Sequence, residues 1–161
     1  MPKGPAARVG DSTAHGGPLA PGPGSTNVMI GGQPAWRGLS PAGAAAIAAA
    51  VSAAMAAIAQ AQAVATATAG TPAGPAAQAN LVKTAIEQVA NVANAMTGSG
   101  ADTLACPIVK VVIPDGTGVV MNGSTTVMIN NFPACRVGDM IQEATAVSSI
   151  AVGYPQVMIG G

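Results

Sequence analysis

Two phrases recur in this chain. Pro-Ala-x-Arg stands at Pro5–Arg8, Pro34–Arg37 and Pro133–Arg136. Val-Met-Ile followed by a turn pair stands at Val28–Gly32, Val127–Asn131 and Val157–Gly161. A repeated unit this short cannot bury its own apolar face, so its copies must share one core. In the first and third units Arg is followed three residues later by Asp, as Arg8/Asp11 and Arg136/Asp139. In the second unit Arg37 is followed by a long Ala-rich segment, and the matching Asp is Asp102. Four residues beyond each Asp stand His15, Cys106 and Glu143. The phrase is kept and its last residue differs each time.

The Val-Met-Ile runs favour strands, and Gly-Gly, Asn-Asn and Pro-Asp-Gly favour turns, so each unit reads as a short β-hairpin. The expected fold is mainly β: a small body of three hairpin repeats about a pseudo-threefold axis, discontinuous in sequence over 1–38 and 101–161. The chain has six Lys and Arg and six Asp and Glu. Half of these charges stand at the repeated Arg–Asp positions, which are expected to be structural and to tie neighbouring units together. The residue closing each phrase should meet the other two at one end of the axis.

Residues 39–100 differ in kind and read as an inserted antiparallel α-helical hairpin. Ser40 is a candidate N-cap with Pro41 at the first helical position. Ile47, Val51, Met55 and Ile58 follow at helical spacing, GTPAGP breaks the helix, and Val82, Ile86, Val89, Ala93 and Met96 form a second stripe before TGSG. Ala between the larger residues allows close approach of the helices. A first helix of roughly 28 residues would be about 42 Å long. Two readings stay open: a water-exposed arm, or a membrane-inserting segment. Residues 42–59 hold no charge, but the second helix carries Lys83 and Glu87.

The net charge is zero and no basic stripe is present, so no nucleic-acid partner is expected. Two cysteines do not make a disulfide framework, and Cys135 is expected as a small buried side chain. The N-terminus has no apolar core region and does not read as a secretory signal. One His and no nucleophile–base spacing offer little for catalysis, so no enzyme is expected.

The repeats resemble the PAAR-repeat proteins, named for the tetrapeptide at Pro5–Arg8. The resemblance rests on AARVGDSTAHGG, ACP, GTGVVMNGSTTVMINNFPACRVGD and GYPQVMIGG, over about 1–38 and 101–161. It implies a small cone of β-hairpins that caps and sharpens the trimeric VgrG-like spike of type VI secretion, or of a related contractile injection system, at one chain per trimer. The cone then helps puncture the target envelope, touches the target membrane transiently, and can dock effector cargo or a chaperone. The implied location is the bacterial cytoplasm during assembly, then the apparatus tip, then outside the cell or in the target after firing. The base facing the spike is expected at Val28, Ile30, Val127, Ile129, Val157, Ile159 and the final Gly160–Gly161. The chain ends at Gly161, straight after the last unit, and no toxin domain is expected in it. The alternative reading is the delivery part of a prePAAR effector whose Ala-rich segment enters membrane with chaperone help.

The resemblance also implies zinc near the tip, held by His and Cys. His15 and Cys106 match ligand positions, Asp115 stands where relatives carry His, and Glu143 is the third-unit equivalent of His15. Carboxylates bind zinc as well, so the expected set is His15, Cys106, Asp115 and Glu143. Plainer roles stay open for each: a polar turn residue, a small buried thiol, a turn Asp, and a cap or ion-pair partner.

Overall fold

Two of the three Val-Met-Ile phrases end in hairpins, and the third lies in a strand pair of the same register. The computed structural model describes residues 3–108 and 116–160. Its strands are β1 (Gly4–Ala6), β2 (Met29–Ile30), β3 (Gln33–Pro34), β4 (Thr103–Ala105), β5 (Thr117–Val120), β6 (Met128–Ile129), β7 (Phe132–Pro133), β8 (Met140–Glu143), β9 (Val147–Ser149) and β10 (Tyr154–Ile159). In β2–β3 Met29 faces Pro34, and in β6–β7 Met128 faces Pro133. Gly31 and Gly32 have φ of 55° and 81°, and Asn130 and Asn131 have φ of 51° and 66°. Two positive-φ residues in a row make the turn whose twist suits a tight hairpin, which is why only Gly or Asn stands there. The third copy is built from the two ends of the chain: β10 pairs with β1, and Met158 faces Pro5.

Backbone hydrogen bonds close the threefold. Ala7 N donates to Cys135 O (2.9 Å), Cys135 N to Trp36 O (3.1 Å), and Trp36 N to Ala7 O (2.9 Å). A second ring runs beside it: Val9 N to Pro34 O, Gly38 N to Pro133 O and Val137 N to Pro5 O, each 2.9 Å. Buried backbone groups must find partners, and here each unit supplies them to the next. These rings tie the units together. The Arg–Asp pairs do something else, contrary to expectation: each closes a corner within its own unit. Asp11 N donates to Arg8 O (3.1 Å), Asp139 N to Arg136 O (3.2 Å) and Asp102 N to Arg37 O (3.1 Å).

The core is layered along the same symmetry. One layer holds Ala6, Ala35 and Ala134 with Ile30, Ile129 and Ile159. The next holds Ala7, Trp36 and Cys135 with Leu19, Leu104, Ile141 and Ile150. Cys135 is fully buried, as the sequence suggests. Aromatics are 2% of the chain, so small residues close to the axis take the place of bulky ones.

The Ala-rich segment folds as α1 (Pro41–Ala67) and α2 (Gly74–Gly98). Ser40 caps α1 by accepting from Gly43 N at 3.1 Å, and Pro41 fills the first position. The helices hold 27 and 25 residues, more than all the strands together, so the chain is mixed α and β rather than mainly β. Ala54, Ala61, Ala65 and Ala85 are buried, whereas Met55, Val82 and Ile86 are exposed. Of the expected stripes, Ile47 and Met96 are buried and Val51, Ile58, Val89 and Ala93 are half-buried, so the stripes hold at the root of the hairpin and fail at Met55, Val82 and Ile86. Small Ala side chains allow closer backbone approach and win the buried positions. The root of the hairpin joins the β body through Leu39, Ile47, Val92, Met96, Val119 and Ala144. Pro41–Ala67 is long and apolar enough to cross a membrane by length and composition.

Candidate metal centre

His15, Cys106 and Glu143 come from three different repeats and meet at one point. Their ligand atoms all lie within 4.8 Å of one another. His15 Nδ1 lies 3.2 Å and 3.1 Å from the two carboxylate oxygens of Glu143, and 3.5 Å from Cys106 Sγ. Glu143 is fully buried, and the other two are half-buried. Asp115, the fourth expected ligand, lies outside the described residues, as does Gly161.

Local structure explains each placement. His15 sits in a turn where Gly16 N donates to Thr13 O (3.0 Å) and Thr13 N to Gly17 O (2.8 Å). Gly17 lets this turn press on the Cys106 segment, because a Cβ there would stand 2.6 Å from Pro107 Cδ. Cys106 follows β4 and donates its N–H to Gly116 O at 2.8 Å. Glu143 ends β8, and Gln142 Nε2 braces the turn beyond it through Glu143 O (2.8 Å) and Ala146 O (3.1 Å).

The sheet β4-β5-β8-β9 holds these parts in one frame. Gly118 of β5 lies between Leu104 and Glu143 in register. A Cβ at Gly118 would sit 3.1 Å from Glu143 Cγ and 3.3 Å from Leu104 Cδ1. Gly118 therefore makes room for the buried carboxylate, a role the sequence reading missed. The signal was there: Gly inside a Val-rich strand marks close approach.

The donor set fits a zinc-type ion. Zn–N, Zn–O and Zn–S bonds of about 2.0–2.3 Å give tetrahedral edges of roughly 3.3–3.8 Å. The His15–Cys106 separation falls in that range and the His15–Glu143 separations just under it. The same nitrogen of His15 faces both partners. A nucleophile–base relay instead sets the nucleophile and the orienting acid on opposite ring nitrogens. The cluster is arranged as ligands around a point.

The Arg–Asp corners share one geometry. Arg8 N, Arg37 N and Arg136 N donate to Asp11, Asp102 and Asp139 at 2.8, 2.8 and 2.9 Å. The guanidinium of each adds a bond: Nε donates at 3.2, 3.0 and 3.2 Å. These hydrogen bonds to Asp11 and Asp102 hold Arg8 and Arg37 above the usual arginine range. Burial pushes the Asp139 carboxyl above its ordinary value, against the pull of Arg136.

Residues 113–161 match the family described as the PAAR motif. The chain carries a PAAR motif. The matched part contains Glu143, the third Arg–Asp corner and β5 to β10, whereas His15 and Cys106 lie before it. The first PAAR-like corner is joined to the matched part through the two backbone rings. No curated protein and no solved structure matches the chain.

The expected base residues divide into two sets. Ile30, Ile129 and Ile159 are turned inward, at 7%, 7% and 5% exposure, because the pleat sends alternate residues to opposite faces. Val28 is half-buried, and Val127 and Val157 are exposed. Within the three Val-Met-Ile phrases the most exposed side chains are Met29, Met128 and Met158, at 55%, 51% and 55%.

Proposed function

We propose that this chain is a structural tip that caps a trimeric VgrG-like spike of a contractile injection system, one chain per trimer. The observation that supports it most is the internal threefold: one chain repeats the same strand pair three times and leaves Met29, Met128 and Met158 exposed at equivalent positions. A single chain meets a threefold partner only by repeating itself, because each spike subunit must find the same surface. Three flexible, polarizable Met side chains suit an apolar contact that must fit three subunits. The PAAR motif supports the same reading. His15, Cys106 and Glu143 would hold zinc, and the ion would supply short bonds linking three repeats in a region with little core of its own. Assembly would take place in the cytoplasm, and firing would carry the tip outward, through the target envelope.

The test is co-purification with a trimeric β-helical spike. One chain per three spike subunits supports the proposal; no binding, or three chains per trimer, sinks it. A second reading, a delivery segment that enters membrane, is favoured by the apolar helix α1. Flotation of the full chain with liposomes separates the two: membrane association requiring residues 39–100 supports the second.

A further inference from the structure

Two buried side-chain polar atoms lack a hydrogen-bond partner among the described residues: Trp36 Nε1 and Ser148 Oγ. Trp36 belongs to the apolar layer with Ala7 and Cys135. Ser148 lies on the strand that pairs with β8, the strand ending in Glu143. It is on β9, opposite Ile141 of β8. Opposed residues of an antiparallel pair point to the same face and alternate along the strand, so Ser148, Ile141 and Glu143 share a face. The His15 turn docks on the same strand: Ala14 N donates to Ser149 O at 2.9 Å, and Thr13 bridges Ile150. Ser148 is 8% exposed. A buried hydroxyl with no partner is costly and calls for an explanation.

Glu143 supplies one. Both of its carboxylate oxygens rest on a single atom, His15 Nδ1. That nitrogen also faces Cys106, so it is the one that would hold an ion. A ring nitrogen bound to a metal has no proton to donate. Binding an ion therefore removes the donor that serves Glu143. A carboxylate that gives one oxygen to the ion keeps the other buried, and that oxygen then needs a new donor.

We propose that Ser148 is that donor: its hydroxyl, idle without an ion, bonds the Glu143 carboxylate when a zinc-type ion is held by His15, Cys106 and Glu143. Two unpartnered groups are satisfied together. Ser148 is a positioning residue, acting on a ligand and not on the ion. Outer hydrogen bonds of this kind orient ligating groups and tune affinity. The proposal rests on reading the cluster as a metal centre.

The test is cobalt(II) titration of the full chain, followed by the thiolate-to-cobalt absorption, for wild type, Ser148→Ala and His15→Ala. Thermal unfolding of the metal-free proteins runs in parallel. Ser148→Ala is expected to weaken cobalt binding about 10–100-fold while leaving the metal-free midpoint unchanged or higher. His15→Ala should abolish the band. Wild-type affinity in Ser148→Ala overturns the role of Ser148 and leaves the metal centre standing. A lowered metal-free midpoint with unchanged affinity shows a purely structural serine and also overturns it. No cobalt–thiolate band in wild type overturns the metal reading and the proposal together.

Discussion

Arg37 and Asp102 stand 65 residues apart and make the same fork that Arg8 makes with Asp11 three residues on. Arg37 Nη2 lies 2.8 Å from Asp102 Oδ1, against 2.9 Å for the Arg8–Asp11 pair. The neck of the helical segment is thus closed by the same fork. Asp102 is 1% exposed and also accepts from Gly24 N at 3.1 Å.

Removing that carboxylate leaves Arg37 and two backbone N–H groups without their acceptor. Asp102→Ala is expected to destabilise the fold by about 3–5 kcal/mol, the range for breaking a buried pair from one side. Lys83→Ala, at an exposed pair 3.8 Å long, should cost no more than about 0.5 kcal/mol. Urea denaturation of the two variants checks the contrast.

Excision of the hairpin tests the corner directly. Replacing residues 38–101 by Val-Gly restores the Arg-Val-Gly-Asp of the other two units. The shortened chain should lose its helical circular dichroism and keep cobalt binding, since His15, Cys106 and Glu143 all lie outside the cut. Its stability should fall, because Val119 and Phe132 lose apolar cover from the helices.

The two thiols should separate by reactivity. Burial, reinforced by Asp139 and Asp102, pushes the Cys135 thiol well above its ordinary value, and a protonated, inaccessible thiol is inert. A disulfide reagent is expected to titrate one thiol in the native protein, Cys106, and the second only after unfolding. Zinc should protect the first.

Asp139 gives the fold a pH dependence of definite sign. Its folded pKa is raised by burial, so the folded state holds the proton more firmly than the unfolded state. Stability should fall as pH rises from the ordinary carboxylate range through that raised value, then level off. Asp139→Asn should flatten this slope in denaturation midpoints measured across mildly acidic pH.

If the threefold face meets a spike, its three copies are equivalent in contact. Met29→Glu, Met128→Glu and Met158→Glu should each weaken capture by a trimeric spike to a similar degree, and the triple variant should abolish it. Pull-down at matched concentrations checks this. One variant without effect would show that the contact is not threefold.

Much of this was legible because charge is scarce. With six acidic residues in the chain, the spacing of Asp102 to Cys106 stood out and located the displaced corner. The same spacing predicted that His15, Cys106 and Glu143 would meet. Other features gave too little signal. Two-residue strands such as Met29–Ile30 carry too few positions for alternation to show which side chain faces out. In α1, Ala fills both faces, and bulk pointed to Met55 where close approach chose Ala54. Ser148 and Gly118 act through what they lack, a partner and a side chain, and absences of that kind appear only in three dimensions.

The pairing of Gly4 with Ile159 sets a schedule for the newborn chain. The first and second hairpins are local and can form as they leave the ribosome. The third waits for β10, with the whole segment between Ala6 and Tyr154 to close as a loop. Until residue 159 has emerged, Pro5 and Ala6 lack their permanent neighbours in β10. The growing polypeptide must therefore carry an unfinished edge from the time β1 emerges until β10 follows it, and that strand closes the third pair.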